Sequence, residues 1–195
     1  MLAPGFADPV HDAQDTFRAV MDALARPGRV RPLAPGLAPP APLTSELAAV
    51  ALTLTDADTP VWLDPALAAA PEVAAYLRFH TGAPLTEDPA EAAFALVREP
   101  ARCPPLARFA PGTPAYPDTA TTLVLALDAL TDGEGLHLSG PGIRGAARIA
   151  PAPLPDGFVA QLSENRAGFP LGVDLILTAP GRVAGLPRST TVTEA

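Results

Sequence analysis

Proline is the residue that most limits how this chain can fold. The sequence contains 26 prolines in 195 residues, whereas proline usually makes up about 5% of a protein. Because proline lacks an amide N–H and clashes with the preceding helical turn, it is excluded from helix interiors. The sequence therefore predicts short helices and strands joined by proline-rich connections. Hydrophobic residues form 48% of the chain, so we expect these prolines to punctuate a folded protein.

The charged residues exclude several classes of function. The formal net charge is −8, and the sequence shows no basic stripe of the kind that binds nucleic acid. All 13 basic residues are arginine. Without lysine, this chain cannot form the Schiff base of a pyridoxal phosphate enzyme or supply the lysine of a Walker-type phosphate loop.

The sequence predicts a soluble, cytoplasmic protein. Cys103 is the single cysteine, so no internal disulfide can form, which fits a reducing compartment. The N-terminal residues have neither the basic start nor the apolar run of a signal peptide. No uninterrupted run of about 20 apolar residues predicts a membrane span.

Four helices are predicted. The first begins near His11 and ends at Pro27–Gly28, and the second follows Ser45, its predicted N-cap. The third spans Pro71–Gly82, and the fourth lies within residues 154–166. The first helix has one apolar stripe at helical spacing, formed by Phe17, Val20, Met21 and Leu24.

Six strands are predicted, at residues 60–63, 92–97, 121–130, 135–140, 172–178 and 182–190. Turns at Asp132–Gly133 and at Ala179–Gly181 predict two antiparallel hairpins. Since helices and strands interleave, we expect an α/β fold with a mixed sheet flanked by helices. Residues 1–195 are expected to form a single domain, with residues 1–10 as a loose N-terminal segment.

Residues 140–145, GPGIRG, match the G-x-G-x-x-G pattern of dinucleotide-binding proteins. That motif requires a following helix whose N-terminus binds the pyrophosphate, and Pro151, Pro153 and Pro155 prevent such a helix. We therefore interpret the stretch as a tight turn. A weaker hypothesis stays open, in which exposed N–H groups near Arg144 contact an anion.

No catalytic or metal-binding constellation is evident in the sequence. His11, His80 and His137 have no helical i, i+3 or i, i+4 pairing, and Cys103 has no thiol neighbour. His137 alternates with leucines, which favours the solvent face of a strand, and Ser139 is not within a G-x-S-x-G motif. We predict no catalytic, cofactor-binding or metal-ligating residue.

The stretch YLRFHTGAPL, residues 76–85, contains Arg78, His80 and Thr81, which could together hold an anion. They fall in the last turn of a predicted helix, where the helix dipole is negative and anions bind poorly. We therefore favour capping and packing, and keep Arg78, His80, Thr81 and Arg144 as weak anion-binding candidates.

Asp174 begins an otherwise apolar strand. A carboxylate buried there requires a partner, and Arg188, Arg78 or backbone N–H groups could provide one. A structural role is favoured over catalysis, because one carboxylate gives no second group for acid–base chemistry.

Five stretches in series resemble the PhnH family, the phosphonate metabolism proteins that form the H subunit of the bacterial carbon–phosphorus lyase complex. They are spread in order along nearly the whole chain, at residues 12–30, 52–64, 77–85, 138–143 and 169–190.

The resemblance implies a three-layer α/β/α fold with a mixed sheet, like that of pyridoxal phosphate-dependent transferases but without the cofactor. The absence of lysine agrees with this. It also implies a homodimer in isolation and association with the G, I and J subunits in the complex. The resemblance further implies that, with the L subunit, this machinery joins a phosphonate to the ribose of ATP and displaces adenine, forming ribose 1-phosphonate 5-triphosphate. The J subunit and its iron–sulfur cluster then break the carbon–phosphorus bond.

On this basis we predict a non-catalytic subunit needed for phosphonate catabolism. Cys103 alone cannot hold an iron–sulfur cluster, which needs three or four thiolates. One alternative is a stand-alone phosphonate- or nucleotide-binding protein or enzyme that uses Arg78, His80 and Thr81. Another is a diverged relative that kept the dimer but lost the complex.

Overall fold

A seven-stranded mixed sheet forms the centre of the protein in a computed structural model that describes residues 2–194. The strands of this sheet are β1 (Arg31–Pro32), β2 (Val61–Leu63), β3 (Leu85–Thr86), β4 (Phe94–Val97), β5 (Thr122–Ala126), β8 (Asp174–Ala179) and β9 (Arg182–Leu186). A second sheet of three antiparallel strands contains β6 (Ala129–Ser139), β7 (Ala147–Ala152) and β10 (Thr191–Glu194). The helices are α1 (His11–Ala25), α2 (Ser45–Leu54), α3 (Pro65–Ala68), α4 (Pro71–Thr81) and α5 (Phe158–Ala167).

The large sheet has the order β1-β9-β8-β5-β4-β2-β3. Strands β3, β2, β4, β5 and β8 pair in parallel, whereas β9 is antiparallel to both of its neighbours. Parallel strands are covered on both faces and so read as continuous apolar runs. Strand β5 follows this rule, since every residue from Leu123 to Ala126 is buried.

The two faces of the large sheet are covered by different kinds of structure. Helices α1, α2 and α4 pack on one face with buried residues that include Val20, Leu47, Tyr76, Val124 and Ile176. The other face is covered by the small sheet and α5, with a core that includes Leu123, Leu138, Ile149, Phe158 and Leu175. The mixed sheet with flanking helices is therefore confirmed. One outer layer, however, is mainly a small β-sheet.

The hairpin predicted at Asp132–Gly133 is wrong. Strand β6 continues through these residues, with a register shift between Asp132 and Leu136, and pairs with β7. Gly133 has a φ of 150°, a conformation that glycine readily adopts, so the Asp-Gly pair forms an irregularity within a strand. The apolar run 121–130, predicted as one strand, forms parts of two strands. Residues before Leu127–Asp128 belong to β5 of the large sheet, and those after it belong to β6 of the small sheet.

The second hairpin is confirmed, since β8 and β9 pair on either side of Ala179–Gly181. The predicted strand after it ends earlier than expected, at Leu186. Pro187 cannot donate to a strand ladder, and Thr190 N–H donates to the Pro187 carbonyl at 2.8 Å in a turn. That turn sends residues 191–194 to the small sheet, as strand β10.

Two helix predictions need correction. The N-cap of α2 is Thr44, whose side chain accepts from Leu47 N–H at 3.2 Å, and Ser45 is the first helical residue. On α1 the buried residues are Thr16, Val20 and Ala23. The predicted stripe is wrong at Phe17 and Met21, which are 47% and 48% exposed.

The N-terminal segment, expected to be loose, is held against α4. The Tyr76 hydroxyl donates to the Pro4 carbonyl at 3.3 Å, and His80 Nε2 lies 3.0 Å from the Ala3 carbonyl oxygen. These long-range contacts leave no local pattern in the sequence.

Candidate functional site

The carboxyl ends of β2, β4 and β5 lie where open α/β sheets usually bind ligands. Such ligands occupy the crevice at which the strand order reverses direction. Here the chain passes from β2 outward to β3 and then returns to the other side of β2 as β4. The reversal therefore lies between β2 and β4, and the residues that follow these two strands are Asp64 and Arg98.

The Asp64 carboxylate occupies this reversal point. Its side chain is buried, with the residue 2% exposed. Oδ1 accepts from Leu67 N–H at 3.0 Å, and Oδ2 accepts from the N–H groups of Arg98 and Glu99, each at 2.8 Å. Three backbone donors that could bind an anion are thus engaged by a carboxylate of the chain itself.

Sequence reasoning missed Asp64, although a local signal was present. An aspartate after a buried strand and before a proline is typical of a helix N-cap with proline at N1. Helix α3 begins in this way. The bonds to Arg98 and Glu99 leave no such signal, because they depend on β2 and β4 being neighbours.

Cys103 lies close enough to Asp64 to be affected by its charge. Burial, and to a smaller extent the negative charge of Asp64, together raise the pKa of the Cys103 thiol to about 12. Since the thiolate is the nucleophilic and metal-binding form, this thiol is unreactive at neutral pH.

Arg78 lines an open groove of about 550 Å³ between α3, α4 and the edge strand β3. Leu85 and Thr86 of β3 form one wall, and Glu87 lies on the rim. The guanidinium of Arg78 has no hydrogen-bond partner within residues 2–194 and is exposed. Among the predicted candidates on α4, this side chain is the one available to a ligand.

His80 and Thr81 serve the structure at the end of α4. His80 contacts the Ala3 carbonyl, and its ring centroid lies 4.5 Å from that of Tyr76. The Thr81 hydroxyl donates to the Leu77 carbonyl at 2.8 Å and accepts from Ala83 N–H at 3.0 Å. These contacts agree with the favoured interpretation as capping and packing.

Arg144 lies far from this groove, on the exposed loop between β6 and β7. That loop packs on the end of α1, where a Cβ on Gly142 would clash with the Ala25 carbonyl oxygen. Helix α1 lies beside β9 and β1, at the opposite end of the sheet from β3. Arg78 and Arg144 therefore do not converge. The stretch 140–145 enters strand β7 through a turn, as predicted, and no helix follows it.

Asp174 is bound by Arg188, one of the partners left open by the sequence. Its Oδ1 accepts from the Arg188 backbone N–H at 2.8 Å and from Arg188 Nε at 3.1 Å. The same guanidinium donates to the Pro117 carbonyl at 2.7 Å. The pair ties the start of β8 to two loops, which is a structural role.

Two further classes of site are absent from the part of the chain that the structure describes. No group of three or more histidine, cysteine, aspartate or glutamate side chains there is placed to hold a metal ion. Each helix within residues 2–194 is too short or too polar to cross a bilayer.

The sequence model for the bacterial phosphonate metabolism protein PhnH matches residues 4–193. The chain belongs to the PhnH family. The matched range contains all five α-helices of the described residues and both sheets apart from Glu194, the last residue of β10, so the family assignment applies to the whole fold.

Two relatives illustrate this membership of the PhnH family. The alpha-D-ribose 1-methylphosphonate 5-triphosphate synthase subunit PhnH of Rhizobium meliloti (strain 1021) is 50% identical over 187 residues, which cover 95% of this chain and 92% of the relative. HtxG of Stutzerimonas stutzeri, named as a proposed C-P lyase subunit, is 34% identical over 91% of this chain and 84% of its own length.

Proposed function

We propose that this PhnH protein is a cytoplasmic, non-catalytic subunit of the carbon–phosphorus lyase core complex, and that phosphonate catabolism requires it. In that complex the G, I and L subunits join a phosphonate to the ribose of ATP and displace adenine, which gives ribose 1-phosphonate 5-triphosphate, and the J subunit cleaves the carbon–phosphorus bond. The observation that carries the proposal is the 50% identity, over 95% of the chain, to a protein named as a subunit of such a synthase.

Two features of the chain support a non-catalytic role. The backbone donors at the strand reversal are engaged by Asp64, so the position where an open α/β enzyme usually binds its ligand is filled internally. Burial and the nearby Asp64 charge raise the pKa of Cys103 to about 12, which keeps the single thiol protonated at neutral pH.

We also propose that residues 1–195 act as one domain with the fold of pyridoxal phosphate-dependent transferases, and that the isolated protein is a homodimer. The single antiparallel strand within the large sheet and the absence of lysine support a cofactor-free version of that fold. Exposed apolar side chains on the helical face support association, since Phe17, Met21 and Phe79 are 47%, 48% and 73% exposed.

Co-expression with the G, I and J subunits tests the main proposal. With an affinity tag on the J subunit, we expect this chain to co-purify in a fixed ratio with all three partners. If the chain is folded and expressed but stays in the flow-through, the proposal is wrong.

The alternative, a stand-alone phosphonate- or nucleotide-binding protein, now depends on Arg78. His80 and Thr81 stabilise the end of α4, so a loss of binding after their substitution could not be distinguished from a loss of stability. Titration calorimetry of the isolated protein with ATP and methylphosphonate tests this function. Heat that disappears in Arg78→Ala and persists in Arg108→Ala, a surface arginine outside the groove, would favour the alternative.

A further inference from the structure

A second crevice lies at the carboxyl ends of β4 and β5, next to the reversal point that Asp64 fills. Its volume is about 360 Å³, within the range of small-molecule sites. It is lined by residues that include Arg98, Glu99, Arg102, Ala126, Asp128 and Pro153. The position is again the edge of a parallel sheet at which open α/β proteins bind ligands.

The segment after β4 brings two arginines to the crevice, Arg98 and Arg102, with Glu99 between them in the chain. Arg98 is partly buried, and its guanidinium has no hydrogen-bond partner among the described residues. Its backbone is fixed, because its N–H donates to Asp64 Oδ2 at 2.8 Å. A guanidinium positioned in this way can bind two oxygens of a phosphate or phosphonate at once.

Arg102 adds a second positive charge at the rim. It forms an ion pair with Glu99 at 3.2 Å, and these side chains are 75% and 44% exposed. An ion pair this exposed contributes little stability, so Arg102 can rearrange toward an incoming anion at small cost.

The segment between β5 and β6 brings a carboxylate, Asp128, to the crevice. Asp128 follows β5, and its backbone N–H donates to the Ala152 carbonyl at 2.8 Å, which holds it beside the small sheet. The Asp128 carboxylate is exposed and has no hydrogen-bond partner within residues 2–194. A carboxylate at this edge of an α/β sheet is suited to accept hydrogen bonds from the hydroxyl groups of a sugar.

We propose that this crevice binds a phosphorylated sugar. Arg98 and Arg102 hold the phosphate or phosphonate, and Asp128 accepts hydrogen bonds from the sugar hydroxyls. A bare anion fits less well, because Asp128 and Glu99 repel it, and an uncharged sugar leaves Arg98 without its counter-ion. The choice of ribose as the sugar rests on the proposed function.

Titration calorimetry of the full-length isolated protein with ribose 5-phosphate tests the proposal. Free ribose and inorganic phosphate serve as comparison ligands, and both are expected to bind more weakly. Arg98→Ala should weaken ribose 5-phosphate binding at least about tenfold, since it removes a charge-assisted contact. Arg108→Ala, an exposed arginine outside the crevice, should leave binding unchanged, and Arg78→Ala tests whether the ligand binds in the groove beside α4 instead.

Asp128→Asn separates sugar recognition from simple anion binding. It should weaken ribose 5-phosphate, because the amide is a poorer acceptor, while inorganic phosphate should bind equally or more tightly once the negative charge is gone. The variant is at an exposed position, so it decides the question even if Arg98→Ala fails to fold.

The proposal is overturned if ribose 5-phosphate gives no binding heat at millimolar concentration. It is equally wrong if Asp128→Asn has no effect on ribose 5-phosphate, or if binding depends on Arg78. Failure here is distinct from failure of the proposed function, which is measured by co-purification with the G, I and J subunits. If the chain co-purifies with its partners but does not bind ribose 5-phosphate, only the proposal that the crevice binds a phosphorylated sugar is refuted.

Discussion

Substitution of Asp64 by alanine should destabilise the protein strongly, because it leaves three backbone N–H groups without an acceptor. These belong to Leu67, Arg98 and Glu99, at 3.0, 2.8 and 2.8 Å from the carboxylate oxygens. A buried donor without a partner costs about 1–3 kcal/mol. Because water can reach some of the vacated space, we expect a total loss of about 3–5 kcal/mol.

This loss is large beside the usual stability of a folded domain, about 5–15 kcal/mol. Urea unfolding followed by circular dichroism measures it as a lower midpoint with an unchanged slope. Asp88→Ala is the matched control. Asp88 caps a short turn by accepting from Ala90 N–H at 2.9 Å, but it is exposed, so its loss should cost about 1 kcal/mol or less.

Asp64→Asn provides a graded test. The amide retains one acceptor oxygen but places an NH₂ group against N–H donors, so an intermediate loss is expected. If the free energy of unfolding of Asp64→Ala lies within about 1 kcal/mol of that of the unsubstituted protein, the carboxylate does not stabilise the loops at the ends of β2 and β4. The interpretation of this site is then wrong.

Three further predictions concern local contacts. Thr44→Ala should cost about 1 kcal/mol in urea unfolding and Ser45→Ala much less, and equal losses would contradict the assignment of the cap of α2. Cys103 should react slowly with a disulfide reagent at pH 8 in the folded protein and quickly in urea, since burial raises the pKa of its thiol to about 12. Because the folded state favours the protonated thiol, its contribution to stability is present below about pH 8.5 and declines as the pH rises toward the folded value. Finally, His80→Ala should free the segment around Ala3, detected as faster hydrogen exchange there with little change elsewhere, and unchanged exchange would show that this contact is not needed.

Elements that depend on neighbouring residues were predictable from the sequence. Pro71 at the first position of α4 and Gly82 at its end, with a φ of 73°, follow local rules of helix start and stop. The β8–β9 hairpin likewise follows from two apolar runs around a proline and glycine turn. The family assignment was accessible for a related reason, since five short stretches keep their order along the chain.

The candidate site was largely beyond sequence reasoning. Arg98 directly follows the buried strand β4, and Asp128 lies two residues after the buried strand β5, so their places at the sheet edge could have been suspected. The two residues line one crevice because β4 and β5 are parallel neighbours, and the sequence does not show this pairing. The predicted anion candidates Arg78 and Arg144 are separated for the converse reason, because they belong to elements at opposite ends of the sheet.

The sequence alone thus determined the α/β class, the short proline-bounded elements, the exclusion of lysine chemistry and the resemblance to PhnH proteins. These depend on composition and on contacts between residues close along the chain. Tertiary structure decided that Phe17 and Met21 face outward, that β6 joins a second sheet and that Asp64 bonds a backbone 34 residues away. Such outcomes depend on which surfaces meet across the whole fold, and hydrophobic periodicity within one segment carries no record of its distant partners.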